Sequence, residues 1–249
     1  MRIALAQMSS GPDPAENLRA MGSYVEQAAD AEAELVVFPE AAMCRFGVPL
    51  GPVAQPLDGP WADGVRELAE TADLGIIAGM FTPADDGRVF NTLLAVGPML
   101  DEHYDKVHLF DAYGFTESRT VAPGSAPVLV EIGNVRVGLS TCYDIRFPGM
   151  YQLMADQGAD LIVVAASWGA GPGKVEQWEL LARARALDST TFIAACGQAD
   201  PGHGRGKAPT GVGHSLVVSP TGVVLDRLGA EPGLLVVDLD VTEVAPTRR

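Results

Sequence analysis

The sequence predicts an α/β fold in one domain, with a mixed sheet or a pair of sheets in place of a purely parallel one. Three observations carry that expectation. Apolar runs of strand length alternate with amphipathic stretches of helix length, the pattern of sheets flanked by helices. Runs such as "ELVVFP" and "ADLIVVAAS" are apolar without interruption, as strands covered on both faces are. Gly133-Asn134 separates two further runs, which marks an antiparallel hairpin.

In chain order, "RIALAQM" reads as a buried strand. "DPAENLRAMGSYVEQAADAEA" opens on Asp13-Pro14, a helix-start signal, and carries an apolar stripe through Leu18, Met21, Val25 and Ala28. "ELVVFP" is the next strand and runs into Glu40. "PWADGVRELAETAD" reads as a helix and "LGIIAGMF" as a strand. After the turn at Asp85-Asp86-Gly87, "VFNTLLAV" reads as another strand. "APVLVEIGNVRVGLSTC" supplies two strands about its Gly-Asn turn and leaves Cys142 at the end of the second. A short helix over "GMYQLMADQG" follows, then the strand "ADLIVVAAS". The helix "VEQWELLARARALDST" places Val175, Trp178, Leu181 and Ala182 on one face. "TFIAACGQA", "HSLVVSPTG" and "LLVVDLD" supply later strands, and the Gly/Pro-rich stretch 200–213 reads as a surface loop.

No low-complexity linker interrupts the 249 residues, so a single domain over 1–249 is expected. A chain of this size buries enough surface to fold without a disulfide or metal staple. With 32 acidic against 17 basic residues the net charge is −15, which opposes binding to nucleic acid or to an anionic membrane surface. No apolar run is long enough to span a membrane, and "MRIALAQMSS" is too short in its apolar part for a signal peptide. Cys44, Cys142 and Cys196 make no CxxC pair and read as free thiols, so a cytoplasmic location is expected. The four histidines lack the spacing of a metal site.

Three chemically active groups fall at or just beyond strand ends, where α/β folds build their ligand crevices. Glu40 closes "ELVVFPE", Cys142 closes "VRVGLSTC", and Lys106 lies in "HYDKVHLF" after the strand near "LLAVGPML". A free thiol is only a few per cent ionised at neutral pH. A neighbouring carboxylate can take its proton as attack begins, and a nearby ammonium favours the thiolate and holds a developing oxyanion. Taken singly, each residue has a plainer reading: a packed thiol, a helix N-terminal charge and a solvated lysine.

Taken together, "VVFPEAAM", "YDKVHLFD" and "STCYDIRFPGMY" resemble the three signature blocks of the nitrilase, or carbon–nitrogen hydrolase, superfamily. "DLIVVAASW", "WELLARARALDSTTFIAACGQ" and "GHSLVVSPTGVVL" follow in the family's order, so the resemblance spans nearly the whole chain. It implies a four-layer αββα sandwich with two mixed sheets between helix layers, usually paired into an eight-layered homodimer. It also implies a Glu-Lys-Cys site that needs no metal or cofactor. By motif position, Glu40 would be the general base, Lys106 the oxyanion stabiliser and Cys142 the nucleophile. Glu117, in "GFTESRTVAPG", matches a second glutamate that orients the lysine or the hydrolytic water, or else it forms a surface ion pair. The backbone N–H of Tyr143 would be the second oxyanion donor. Ser167 and Trp168 would line the pocket, with core packing as the other reading of Trp168. Asp144 and Arg146 are expected to form an ion pair that holds the turn, in preference to contacting the substrate.

The motifs look most like the omega-amidase and deaminated-glutathione amidase branch, which implies a small amide that also carries a carboxylate and loses ammonia. Arg45, five residues beyond the base, is the expected cationic anchor, with Arg205, Lys207 and Lys174 behind it. Departures are visible. Gly149 stands where family members commonly carry glutamate, and "CRFGVPL" differs from the better-known amidases. The competing readings are an N-carbamoyl-amine hydrolase with the same three residues, a non-catalytic member of the fold, and a Cys-His hydrolase using His108.

Overall fold

A computed structural model describes residues 1–112, 114–202 and 208–248 of the chain. Among them, two mixed sheets lie face to face between two helix layers. The first sheet runs in the order β13 (Gly233–Asp238), β1 (Arg2–Gln7), β2 (Leu35–Val37), β3 (Gly75–Pro83), β4 (Val89–Gly97) and β5 (Leu100–Asp105). β6 (Val121–Ala122) pairs beside β4. The second sheet runs in the order β12 (Val224–Arg227), β11 (Leu216–Val218), β10 (Phe192–Gly197), β9 (Leu161–Ala166), β8 (Val135–Thr141) and β7 (Val128–Ile132).

The uninterrupted apolar runs follow from this layering. Alternate side chains of a strand point to opposite faces. In β1, Ile3 and Leu5 enter the core between the sheets, while Ala4 and Ala6 face α1 (Pro14–Asp30) and α2 (Pro60–Ala72). On the far side, α3 (Pro148–Asp156) and α4 (Lys174–Ser189) cover the second sheet with Tyr151, Met154, Trp178 and Ala182.

Asp13 caps α1 by accepting from the N–H groups of Ala15 and Glu16, with Pro14 in the first turn. The buried stripe differs by one residue from the expected one: Asn17 is buried and Leu18 is only half-buried. Asn17 earns that place by donating to the carbonyls of Gly11 and Met43, which clamps the loop beyond Glu40.

β5 escapes the apolar pattern because it is an edge strand that buries only Tyr104 fully; Asp101, Glu102 and His103 are exposed. Lys106 therefore follows β5 directly, not β4. β1, β2 and β3 are mutually parallel, as are β8, β9 and β10, so the ends of β2, β8 and β9 can build one crevice.

Candidate active site

The crevice is a cavity of about 890 Å³ whose walls include Glu40, Lys106, Glu117 and Cys142. Cys142 is the first residue after β8, and its φ of 47° is left-handed. A non-glycine residue holds that conformation only where its surroundings fix it. Here the fixing group is Asp144, inside the 3₁₀ turn Cys142–Arg146. Its Oδ2 accepts from the Thr141 N–H at 2.9 Å and from the Tyr104 hydroxyl at 2.7 Å. Its Oδ1 accepts from the His108 N–H at 2.9 Å and lies 2.8 Å from the His108 ring Nδ1. One buried carboxylate thus ties the turn that carries Cys142 to the segment that carries Lys106. The expected Asp144–Arg146 ion pair does not form, because these contacts occupy Asp144; Arg146 donates instead to Gln177 Oε1 at 3.0 Å.

Glu40 sits on a tight turn after β2, followed by Ala41 at φ 59°. Gly79 of β3 lies beneath it. A Cβ there would come within 2.6 Å of the Ala41 nitrogen and 2.7 Å of the Pro39 carbonyl, so only glycine lets the turn pack against the strand. Glu40 is 1% exposed and fully engaged. Its Oε1 accepts from Lys106 Nζ at 3.1 Å and from Asn91 Nδ2 at 2.7 Å; its Oε2 accepts from the Ser167 N–H at 2.7 Å.

Lys106 also donates to both oxygens of Glu117, at 3.1 and 2.9 Å. Glu117 Oε2 accepts from the Phe110 N–H at 2.6 Å. Glu117 is therefore turned inward onto Lys106, not outward into a surface pair. Burial works to lower the Lys106 pKa, but the charges of Glu40 and Glu117 outweigh it and hold the ammonium protonated well above the usual lysine range.

The Cys142 thiol is pushed well above the usual thiol range, first by burial and then by the charge of Glu40; Lys106 opposes and loses. The hydrogen bond with the Glu40 side chain adds to the upward shift. The lysine alone favours a thiolate, as the sequence suggests, but the net effect of the site keeps the resting sulfur protonated. A cluster of this kind holds a thiol, a carboxylate able to receive its proton and a fixed cation within one desolvated space.

The other expected residues fall as follows. The Ser167 carbonyl lies 4.0 Å from Cys142 Sγ, and its hydroxyl donates to the Pro209 carbonyl at 2.7 Å. Trp168 lines the cavity and also packs on Trp178, with ring centres 5.3 Å apart. Tyr143 lines the cavity, its ring edge-on to Phe110, and its N–H lies in the first turn of a helix, where intrahelical partners are lacking. Arg45 is not among the lining residues; it donates to the Phe46 carbonyl at 3.0 Å. Lys174 lines the cavity, whereas Arg205 and Lys207 lie outside the described residues. His108 stacks on Phe147 at 3.8 Å and faces Asp144, not Cys142.

Sequence reasoning missed Asn91, which donates to Glu40 and, at 3.4 Å, to Glu117. Its signal was present: one amide inside the otherwise apolar strand "VFNTLLAV" must find a buried partner. Sequence reasoning preferred a turn ion pair to substrate contact for Arg146, which instead lines the cavity. The departing segment "CRFGVPL" supplies an apolar wall through Phe46, Val48, Pro49 and Leu50. Gly149 is exposed in the first turn of α3 and lies outside the cavity lining.

A family model described as carbon–nitrogen hydrolase matches residues 2–249. The protein called hydrolase Rv0480c from Mycobacterium tuberculosis is 62% identical over 258 residues, covering 100% of this chain and 92% of the relative. The protein called omega-amidase NIT2 from Homo sapiens is 31% identical over 256 residues, covering 100% of this chain and 91% of the relative. Among solved structures, a glutamate-to-glutamine variant of the amidase from Nesterenkonia sp. AN1 matches with a TM-score of 0.84 at 27% identity, covering 98% of this chain and 95% of that one. In that structure acrylamide has undergone Michael addition at the active-site cysteine.

Proposed function

The chain belongs to the carbon–nitrogen hydrolase family, and from that premise we propose that it hydrolyses a small linear amide bearing a carboxylate, through a thioester on Cys142, with release of ammonia. That it is a carbon–nitrogen hydrolase of amidase type rests on the family match and on relatives named as amidases. The observation that carries the finer reading is the burial of Lys106 between Glu40 and Glu117 in the cavity that Cys142 lines.

In the cycle, Glu40 takes the thiol proton as Cys142 sulfur bonds to the amide carbon. Lys106 Nζ and the Tyr143 N–H hold the oxygen of the tetrahedral adduct. Glu40 returns the proton to the nitrogen, the C–N bond breaks, and ammonia departs. Water then loses a proton to Glu40 and attacks the thioester carbon; the acid leaves and the sulfur regains its proton. Glu117 orients Lys106, while Ser167 and Trp168 frame the substrate. A protonated resting thiol suits this order, because the proton moves only when a substrate carbon is in reach.

We also place the enzyme as one domain over residues 1–249, as a homodimer and in the cytoplasm. The family match along 2–249 supports the first. Exposed Leu180 and Leu187 on α4, beside Leu153 on α3, support the second. Three free cysteines support the third. Among the described residues no helix is long and apolar enough to cross a membrane.

The test is ammonia release from glutaramate and succinamate, with rapid-quench intact-mass analysis. An acyl adduct on wild-type protein, absent from Cys142→Ala together with turnover, is the expected result. Ammonia release that persists in Cys142→Ala would sink the reading.

A further inference from the structure

The segments that carry the reacting groups also bring apolar side chains into the same cavity. Phe46, Val48 and Leu50 follow Glu40, Phe110 and Phe115 follow Lys106, and Tyr143 follows Cys142. The aromatic members brace one another. Tyr143 stands edge-on to Phe110 with ring centres 5.0 Å apart, and Phe110 lies 5.5 Å from Phe115. Phe46 packs on the buried Phe81, with ring centres 5.6 Å apart and planes at 67°. Aromatic pairs at such separations attract and fix each other's orientation. A chain of rings thus runs from the residue beside the nucleophile to Phe115, which is 40% exposed.

At the reacting end the polar groups are engaged with one another. Glu40 and Glu117 are both held on Lys106, and the Ser167 hydroxyl donates to the Pro209 carbonyl. Phe46, Val48, Leu50, Phe110 and Phe115 carry no polar side-chain atom, so a ligand against them meets carbon. Cavities of roughly 300–1,000 Å³ enclose drug-sized ligands, and this one, at about 890 Å³, is near the top of that range. A compact monoamide such as glutaramate leaves much of that space to water. Replacing water on an apolar surface by an apolar group is favourable.

We propose that the acyl half of the substrate carries an apolar body, an alkyl or aryl group longer than the carbon chain of glutaramate, seated on Phe46, Leu50, Phe110 and Phe115. This rests on the amidase reading above and adds the substrate class to it. The body belongs to the acyl half because the nitrogen leaves as ammonia. Each methylene taken out of water contributes about a fourfold factor, so the site reads acyl length.

The test is a series of neutral amides, butanamide, hexanamide and octanamide, which separates the apolar contact from any charge on the substrate. In wild-type protein kcat/KM for ammonia release should rise by about 50-fold or more from butanamide to octanamide. Phe115→Ala and Leu50→Ala should each shrink that ratio by about fivefold, losing octanamide more than butanamide. By calorimetry, Cys142→Ala protein should bind octanamide more tightly than butanamide by a factor similar to that in turnover. A flat or falling dependence on chain length would overturn the proposal. So would an equal proportional loss of both amides in the two variants. Folded wild-type protein that releases ammonia from no amide, glutaramate included, would defeat the amidase reading, and calorimetry would still decide whether the cavity selects chain length.

Discussion

Asp144 and His108 are joined twice, by the His108 backbone N–H at 2.9 Å and by its ring nitrogen at 2.8 Å, both onto the same carboxylate oxygen. The residues are 36 positions apart, and the contact fixes the distance between the lysine segment and the nucleophile turn. It also gives His108 an occupation other than catalysis.

Asp144→Asn keeps the shape but loses acceptor strength toward Thr141, Tyr104 and His108. Because the group is fully buried, unfolding stability should fall by about 2–3 kcal/mol. A drop in kcat/KM of about tenfold or more should accompany it, since small displacements of fixed catalytic groups are costly. Denaturant melts and steady-state kinetics check both; an unchanged melt with unchanged kinetics would remove the latch from the account.

Glu40→Gln should act in opposite directions on two readouts. Turnover should fall by about 10²–10⁴-fold with the loss of the proton acceptor. Alkylation of Cys142 by iodoacetamide at pH 7 should become faster. In the wild-type site the thiol pKa lies above its ordinary value because of burial and then Glu40, so the reactive thiolate accumulates only in the alkaline range. Removing the Glu40 charge lowers that pKa, while Lys106 remains to favour the anion. Slower alkylation of the variant would contradict the electrostatics described here.

Asn91→Leu removes the amide that donates to Glu40 and to Glu117. The two carboxylates then keep Lys106 between them and one backbone N–H each, from Ser167 and Phe110, but lose the amide they share. A fall in kcat of about 10-fold to 100-fold is expected, with a smaller change in KM, because an oriented donor near the reacting charge contributes on that scale. A variant with unaltered kcat would show Asn91 to be packing only.

Gly149→Ala should stabilise the protein by up to about 1 kcal/mol, since alanine is the better helix former. A Cβ at this exposed site meets nothing within 4 Å, so no clash offsets the gain. Thermal melts should rise while kcat/KM stays at the wild-type level. A lower melting temperature would mean that this turn needs glycine for a backbone reason.

The proposed homodimer predicts that wild-type protein sediments as a dimer and the Leu180→Glu/Leu187→Glu variant as a monomer, because burying two carboxylates in an apolar contact is unfavourable. These leucines are 67% and 56% exposed in the isolated chain, with no part in its own core. Unchanged sedimentation would place any self-association elsewhere.

The amino-acid order by itself determined the alternation of strands and helices, the hairpin at Gly133-Asn134, and the positions of Glu40 and Cys142 at the mouths of strands. Those are local properties: a period of two or of 3.6, a turn residue, a polar group ending an apolar run. β5 was not legible, since an edge strand with three exposed polar residues looks like a loop. Packing alone decided that Asn91 meets a glutamate 51 positions away, that Asp144 abandons Arg146 for Tyr104 and His108, and that Glu40 outweighs Lys106 at the sulfur. Partnerships between distant side chains depend on which sheet edge faces which turn, and the strength of a charge depends on how much water surrounds it. Neither quantity exists until the chain has closed on itself.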